Sequence, residues 1–143
     1  MKINCKIPVT LILMAVFAVA IITLKTTACQ AAQWEWIAST DKVTYEIDAS
    51  DVKYVDYRFA GRNIVCWIKD TELDKSFSIC QMAFRVKNGT KQFVILSGVQ
   101  YDQNGHSVFN GTNVTEPLDY NYNNIPPDSV AEQWYIAARR YVK

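Results

Sequence analysis

Hydrophobic residues fall along the chain in three successive patterns: an unbroken apolar run near the start, a long middle region of alternating apolar and polar residues, and a C-terminal stretch at helical spacing. The middle region opens at Trp34-Glu35-Trp36-Ile37, and its alternation is clearest at Val43, Tyr45 and Ile47, with Thr44, Glu46 and Asp48 interleaved. A period of two places the two sets on opposite faces of a β-strand. Asp48-Ala49-Ser50-Asp51 reads as a turn, because short polar side chains bond the local backbone. Val55, Tyr57 and Phe59 alternate again, and Ala60-Gly61-Arg62-Asn63 reads as a hairpin turn. Residues 64–69 form the most apolar strand, followed by a charged loop over 70–75. Strands over 77–87 and 92–101 flank Asn88-Gly89, and Asn104-Gly105 leads into a short strand over 106–109. Asn-Gly pairs accept the positive φ of primed hairpin turns. No interval between these strands has room for a crossover helix, so the sheet is expected to be antiparallel and built from sequential hairpins.

Residues 110–124 are polar and rich in Asn and Tyr, and read as a loop. Ser129 and Glu132 then form an S-x-x-E capping box, in which each side chain satisfies a backbone donor at a helix start. Val130, Trp134, Ala138 and Tyr141 recur at helical spacing as one apolar stripe, and Arg139, Arg140 and Lys143 suit the negative end of the helix dipole. A single short helix is not stable alone. It is expected to lie across the sheet with Trp134 as its anchor. The predicted fold class is α+β, with about six meandering antiparallel strands and one C-terminal helix packed on one face.

The apolar run from Ile7 to Leu24 follows Lys2 and Lys6 and is closed by Lys25, the order of a secretory signal peptide. Its 18 residues also reach the lower limit of a membrane span. Residues 1–32 are therefore read as a signal peptide, either cleaved or kept as an anchor, and 33–143 as a single domain. Thr26-Thr27-Ala28-Cys29 looks like a degraded lipobox, in which Cys29 would be acylated; the alternative is an incidental cysteine near a cleavage site. Without the leader, 12 basic residues face 14 acidic ones, a net charge near −2. The whole chain stands at +1. Neither value favours a nucleic-acid partner.

Candidate chemistry is sparse. The chain has one histidine, His106, which follows the Asn104-Gly105 turn with no nucleophile beside it. No catalytic, cofactor-binding or metal-ligating set emerges, and no enzyme activity or cofactor is expected. If the loop over 70–75 closes symmetrically, Lys69 faces Phe77 and Cys66 faces Cys80, with Ile64, Cys66, Ile68, Cys80, Met82 and Phe84 on one face. Directly opposed cysteines are within bridging range, and an exported protein meets an oxidising compartment. The alternative is two buried free thiols. Tyr120 and Tyr122, set among Asn residues, form either a binding loop of adaptable contacts or a connector that packs its tyrosines on the sheet.

Short motifs in fixed order resemble the bacterial surface-adhesin protein E family. They are Trp34-x-Trp36-Ile37-x-Ser39-x-Asp41, Tyr45-x-Ile47-Asp48-x-Ser50-x-Val52, Trp67-Ile68-Lys69, Tyr101-Asp102-x-Asn104-Gly105 and Ile125-Pro126-Pro127-x-Ser129-x-x-Glu132-x-x-Tyr135. The resemblance covers nearly all of residues 33–143. It implies a curved antiparallel sheet with the helix on its concave face. It also implies an exported protein in the periplasm or at the cell surface of a Gram-negative-type bacterium, a homodimeric tendency, and binding to host extracellular-matrix or plasma proteins. Many relatives pin helix to sheet with a cysteine pair near the positions of Asn88 and the C-terminal helix, and both are absent here. The expected function is a non-enzymatic cell-envelope binding protein with protein partners, touching the membrane only through its N-terminal segment. The alternative is a structural or assembly subunit of the envelope acting as a homodimer.

Overall fold

The computed structural model describes residues 31–111 and 113–143. Cys29 and all but the last two residues of the expected signal segment lie outside them. The described chain forms strands β1 (Trp34–Ser39), β2 (Val43–Asp48), β3 (Lys53–Tyr57), β4 (Gly61–Glu72), β5 (Phe77–Lys87), β6 (Thr90–Tyr101), β7 (Ser107–Asn110) and β8 (Asn123–Asn124), then helix α1 (Val130–Tyr141). All pairings are antiparallel, in the order β1-β2-β4-β5-β6-β7, with β3 beside β4 and β8 beside β6. The fold is α+β, an open antiparallel sheet with one helix packed against it.

The two strands beyond the expected six are β1, where the alternating region opens, and β8, two residues at the end of the segment read as a loop. β4 is long enough to pair with β2 at one end and β3 at the other. The interruption between them is the expected turn after Asp48, whose Oδ1 accepts from Gln33 N, Ser50 N and Ser50 Oγ. In the same way β6 pairs with β7 at one end and β8 at the other.

Both faces of the sheet are covered, which explains the continuous apolar reading of β4, where Ile64, Val65 and Cys66 are all buried. On one face Ile47, Ile64, Cys66, Ile68, Met82 and Phe84 pack beneath Tyr135, Ala137 and Ala138 of α1. On the other, Val65, Ala83, Val94 and Leu96 pack beneath Tyr122 and Val114 of the segment after β7. The helix presents Ala131, Trp134, Tyr135, Ala138 and Tyr141 to the core, so its stripe is rotated from the expected one and centres on Tyr135. Trp134 packs edge-on against Tyr45 at 5.5 Å and Phe93 at 6.2 Å. Its indole Nε1 is buried with no partner among the described residues.

The hairpin between β4 and β5 corrects the expected register. The strands continue to Glu72 and from Phe77, and Lys75 takes φ 73° in a tight turn held by Glu72 N to Ser76 O at 2.9 Å. Thr71 therefore faces Phe77, Cys66 faces Met82 and Ile68 faces Cys80. The shared face of Cys66 and Cys80 is as expected, but they are offset by two positions and both carry free thiols. The sequence contains no Gly or Asn at Lys75 to mark where this turn sits.

The capping box is present in altered form. Ser129 Oγ accepts from Glu132 N at 3.2 Å, while Glu132 Oε2 accepts from Asp128 N at 2.7 Å instead of from Ser129 N. The second Glu132 oxygen pairs with Lys91, tying the helix start to β6. That pairing is the main reason the Glu132 carboxyl titrates below its ordinary range. Among the described residues no helix is long and apolar enough to cross a membrane.

Candidate functional site

Two hairpins bring the most unusual surface of the molecule together. The β3–β4 turn, Arg58-Phe59-Ala60, enters β4 at Gly61, where φ of 69° favours glycine. The β5–β6 turn at Asn88-Gly89 has φ of 50° and 76°, the positive pair that a primed turn requires. Because β4 and β5 are antiparallel, with Ile64 facing Phe84, both turns fall at the same end of the sheet. The segment before β8 reaches this end as well, since Phe59 N donates to Glu116 Oε1 at 3.2 Å.

Beneath this surface lies a buried polar cluster. Arg85 is 6% exposed. Its Nε donates to Gln92 Oε1 at 2.9 Å, its Nη1 to Ala60 O at 3.3 Å and to Asp119 Oδ1 at 2.8 Å. Its guanidinium lies 3.6 Å from the ring centroid of Tyr122. The Tyr122 hydroxyl donates to Asn63 Oδ1 at 2.8 Å, and Asn63 Nδ2 donates to Gly61 O at 2.9 Å. Burial pushes the Tyr122 phenol up to about 12. Asp119 also bonds Lys87 Nζ at 2.5 Å, and the two cations hold its carboxyl below the ordinary carboxylate range. These contacts fix the turns and leave no unpaired charge inside.

The exposed layer is different in character. Phe59 is 58% and Tyr120 81% exposed. On the helix-covered face, Arg62 lies over the ring of Tyr54 at 4.2 Å, and Arg139 Nη1 donates to Tyr135 Oη at 3.3 Å. Arg62 and Arg139 border one cavity of about 170 Å³. A neighbouring cavity of about 460 Å³ runs from Arg62 past Phe59 to Lys87 and Asp119. Among the described residues no carboxylate lies within ion-pair distance of Arg62 or Arg139, and the first 30 residues contain no Asp or Glu. Asp56 stands opposite Arg62 in the strand register, yet the guanidinium turns onto Tyr54 instead.

The residues singled out from sequence separate at this point. The 120–122 segment divides between the two readings: Tyr120 faces solvent, whereas Tyr122 is buried against the sheet and serves the fold. Cys66 is fully buried, and desolvation pushes its thiol up to about 12, beyond the reach of nucleophilic chemistry near neutral pH. Cys80 is half-buried over Gly98, five positions before Arg85 along β5 and opposite Ile68, six positions after Arg62 along β4. The His106 ring meets Asp102 Oδ2 at 3.3 Å on an exposed turn, its one side-chain hydrogen bond among the described residues. Arg62, Arg85, Arg139 and Tyr54 were missed. Arg62 reads as part of a turn and Tyr54 falls before the alternation that marks the second strand. Arg85 left a usable trace, a charged residue directly after the apolar run Met82-Ala83-Phe84 and in step with the buried Ala83. No protein-family model matches this chain, nor does any curated protein or solved structure.

Proposed function

We propose that this chain is a non-enzymatic binding protein of the bacterial cell envelope, exported by its N-terminal segment and recognising a protein partner through the basic, aromatic end of its sheet. One observation carries the reading: exposed Phe59 borders the same cavity as Arg62, whose guanidinium has no carboxylate within ion-pair distance among the described residues, and Tyr120 is open to solvent next to Asp119 of that cavity. Aromatic and arginine side chains dominate binding energy at protein interfaces, and an arginine left unpaired retains donors for a partner. The buried Arg85–Tyr122 cluster supports it by holding both turns rigid, so that little order has to be gained on binding. The motif order shared with surface-adhesin protein E directs attention to host extracellular-matrix and plasma proteins, and to partners within the envelope.

The test is capture by the immobilised full-length chain of purified matrix proteins and of the envelope extract. Substituting Phe59→Ser and Tyr120→Ser together should abolish a captured partner while leaving the unfolding midpoint in place. Undiminished capture by that variant would remove this end from the function. A homodimeric structural subunit is the second reading. It is favoured by exposed Trp36 and Ile136, which border a cavity of about 310 Å³ between β1 and α1. Sedimentation of the Trp36→Ser variant against the parent separates the two.

A further inference from the structure

We infer that the cavity between Arg62 and Arg139 is a carboxylate-binding pocket, taking an acid carried on a small apolar body. The inference narrows the recognition surface proposed above to one chemistry, and rests on that reading for its biological setting only.

Four features of the pocket select this ligand. Of the three arginines that line it, Arg85 is committed to Asp119, while Arg62 and Arg139 have no carboxylate within ion-pair distance among the described residues. Each group is already oriented by an aromatic wall, Arg62 by stacking on Tyr54 and Arg139 by its bond to the Tyr135 hydroxyl. The Arg139 guanidinium is held more firmly protonated by that contact. A guanidinium has five donors in a planar fork that matches a carboxylate, and one bond to Tyr135 leaves most of those of Arg139 unused. The floor is apolar, supplied by Phe84 and Val86. A bare, strongly hydrated anion gains nothing from such a floor, whereas an acid with an aromatic or aliphatic body buries that body on it. The volume fits one ring: an apolar cavity of about 150 Å³ holds benzene, and this one measures about 170 Å³ and opens toward the arginines. A free aromatic acid and the C-terminal residue of a peptide present the same chemistry.

The experiment is a titration of the full-length chain with 3-phenylpropanoate, followed by chemical shifts of Tyr54, Arg62 and Arg139. Its amide, 3-phenylpropanamide, serves as the uncharged control, and inorganic phosphate as the bare anion. A tripeptide ending in Phe, with free or amidated C-terminus, separates the two sources. The acid should bind, and the free peptide should bind better than its amide if a chain terminus is the natural occupant. Arg62→Gln and Arg139→Gln should each weaken binding about tenfold or more, the loss of one charge-assisted bond. Arg140→Gln, outside the pocket, should leave it unchanged. All three variants should keep the parent's unfolding midpoint, because none of these side chains is buried. Equal binding of acid and amide, displacement by phosphate at equal concentration, or indifference to both arginine variants would each overturn the inference. Those outcomes would leave the protein-binding reading to the capture experiment, which depends on Phe59 and Tyr120.

Discussion

Asn63 is 1% exposed, and both ends of its amide are occupied, by the Tyr122 hydroxyl on one side and the Gly61 carbonyl on the other. Tyr122→Phe removes one hydroxyl and strands the Asn63 oxygen without a partner. A buried polar group left unmade costs about 1–3 kcal/mol, and urea unfolding should show a loss of that size. Tyr120→Ser, two residues away, should change stability by less than about 0.5 kcal/mol, as surface substitutions do. A similar loss in both would mean that the 120–122 segment packs as a unit. The distinction was not legible in Tyr120-Asn121-Tyr122, where both tyrosines are flanked only by short polar residues. It arises from Arg85 and Asn63, which are 37 and 59 positions upstream of Tyr122.

At the scale of the element, face was legible and register was not. Alternation placed Cys66, Cys80, Met82 and Phe84 on one face, and they lie there. The pairing depended on how many residues the turn consumes, which alternation does not encode. The chain settles it with local chemistry at Asp74, whose Oδ1 accepts from Ser76 N at 2.9 Å and Ser76 Oγ at 2.6 Å, and with the positive φ of Lys75. The offset has a direct readout. Thiol titration under denaturing, non-reducing conditions should find both Cys66 and Cys80 reactive, and in the folded protein Cys80 should react well before the buried Cys66. Absence of both thiols in the denatured, non-reduced protein would mean that the opposed register is populated. The helix shows the same division. Its start was marked by Ser129, but Glu132 bonds Asp128 and Lys91, the latter a strand residue 41 positions away.

For the whole molecule, titration shifts set the pH range of stability. Asp102, Asp119 and Glu132 titrate below their ordinary range, so their contribution is present above it and is lost as pH falls through their folded values. Asp70, raised by desolvation, works in the opposite direction. On the alkaline side Cys66 and Tyr122 are both raised to about 12, from ordinary values of 9.0 and 10.0. The unfolded chain loses these protons first, so stability should fall once pH passes about 9, by up to about 1.4 kcal/mol per pH unit for each group. Unfolding midpoints from pH 7 to 11 test this, and Cys66→Ala should flatten the earliest part of the decline. An unchanged slope in that variant would place the alkaline limit elsewhere.

The paired interruptions along both flanks of the sheet bear on behaviour at high concentration. A sheet edge is a template for further strands, and long flat edges seed aggregation. Here the outermost segments are six residues in β1, five in β3, four in β7 and two in β8, and β1 carries an irregularity between Trp36 and Ala38. The long strands β4, β5 and β6 lie inside. A neighbouring molecule that tried to extend the ladder would meet a break within a few residues on either flank. The same segmentation that folds the chain as two half-strands on each side makes it a poor seed for its own polymerisation.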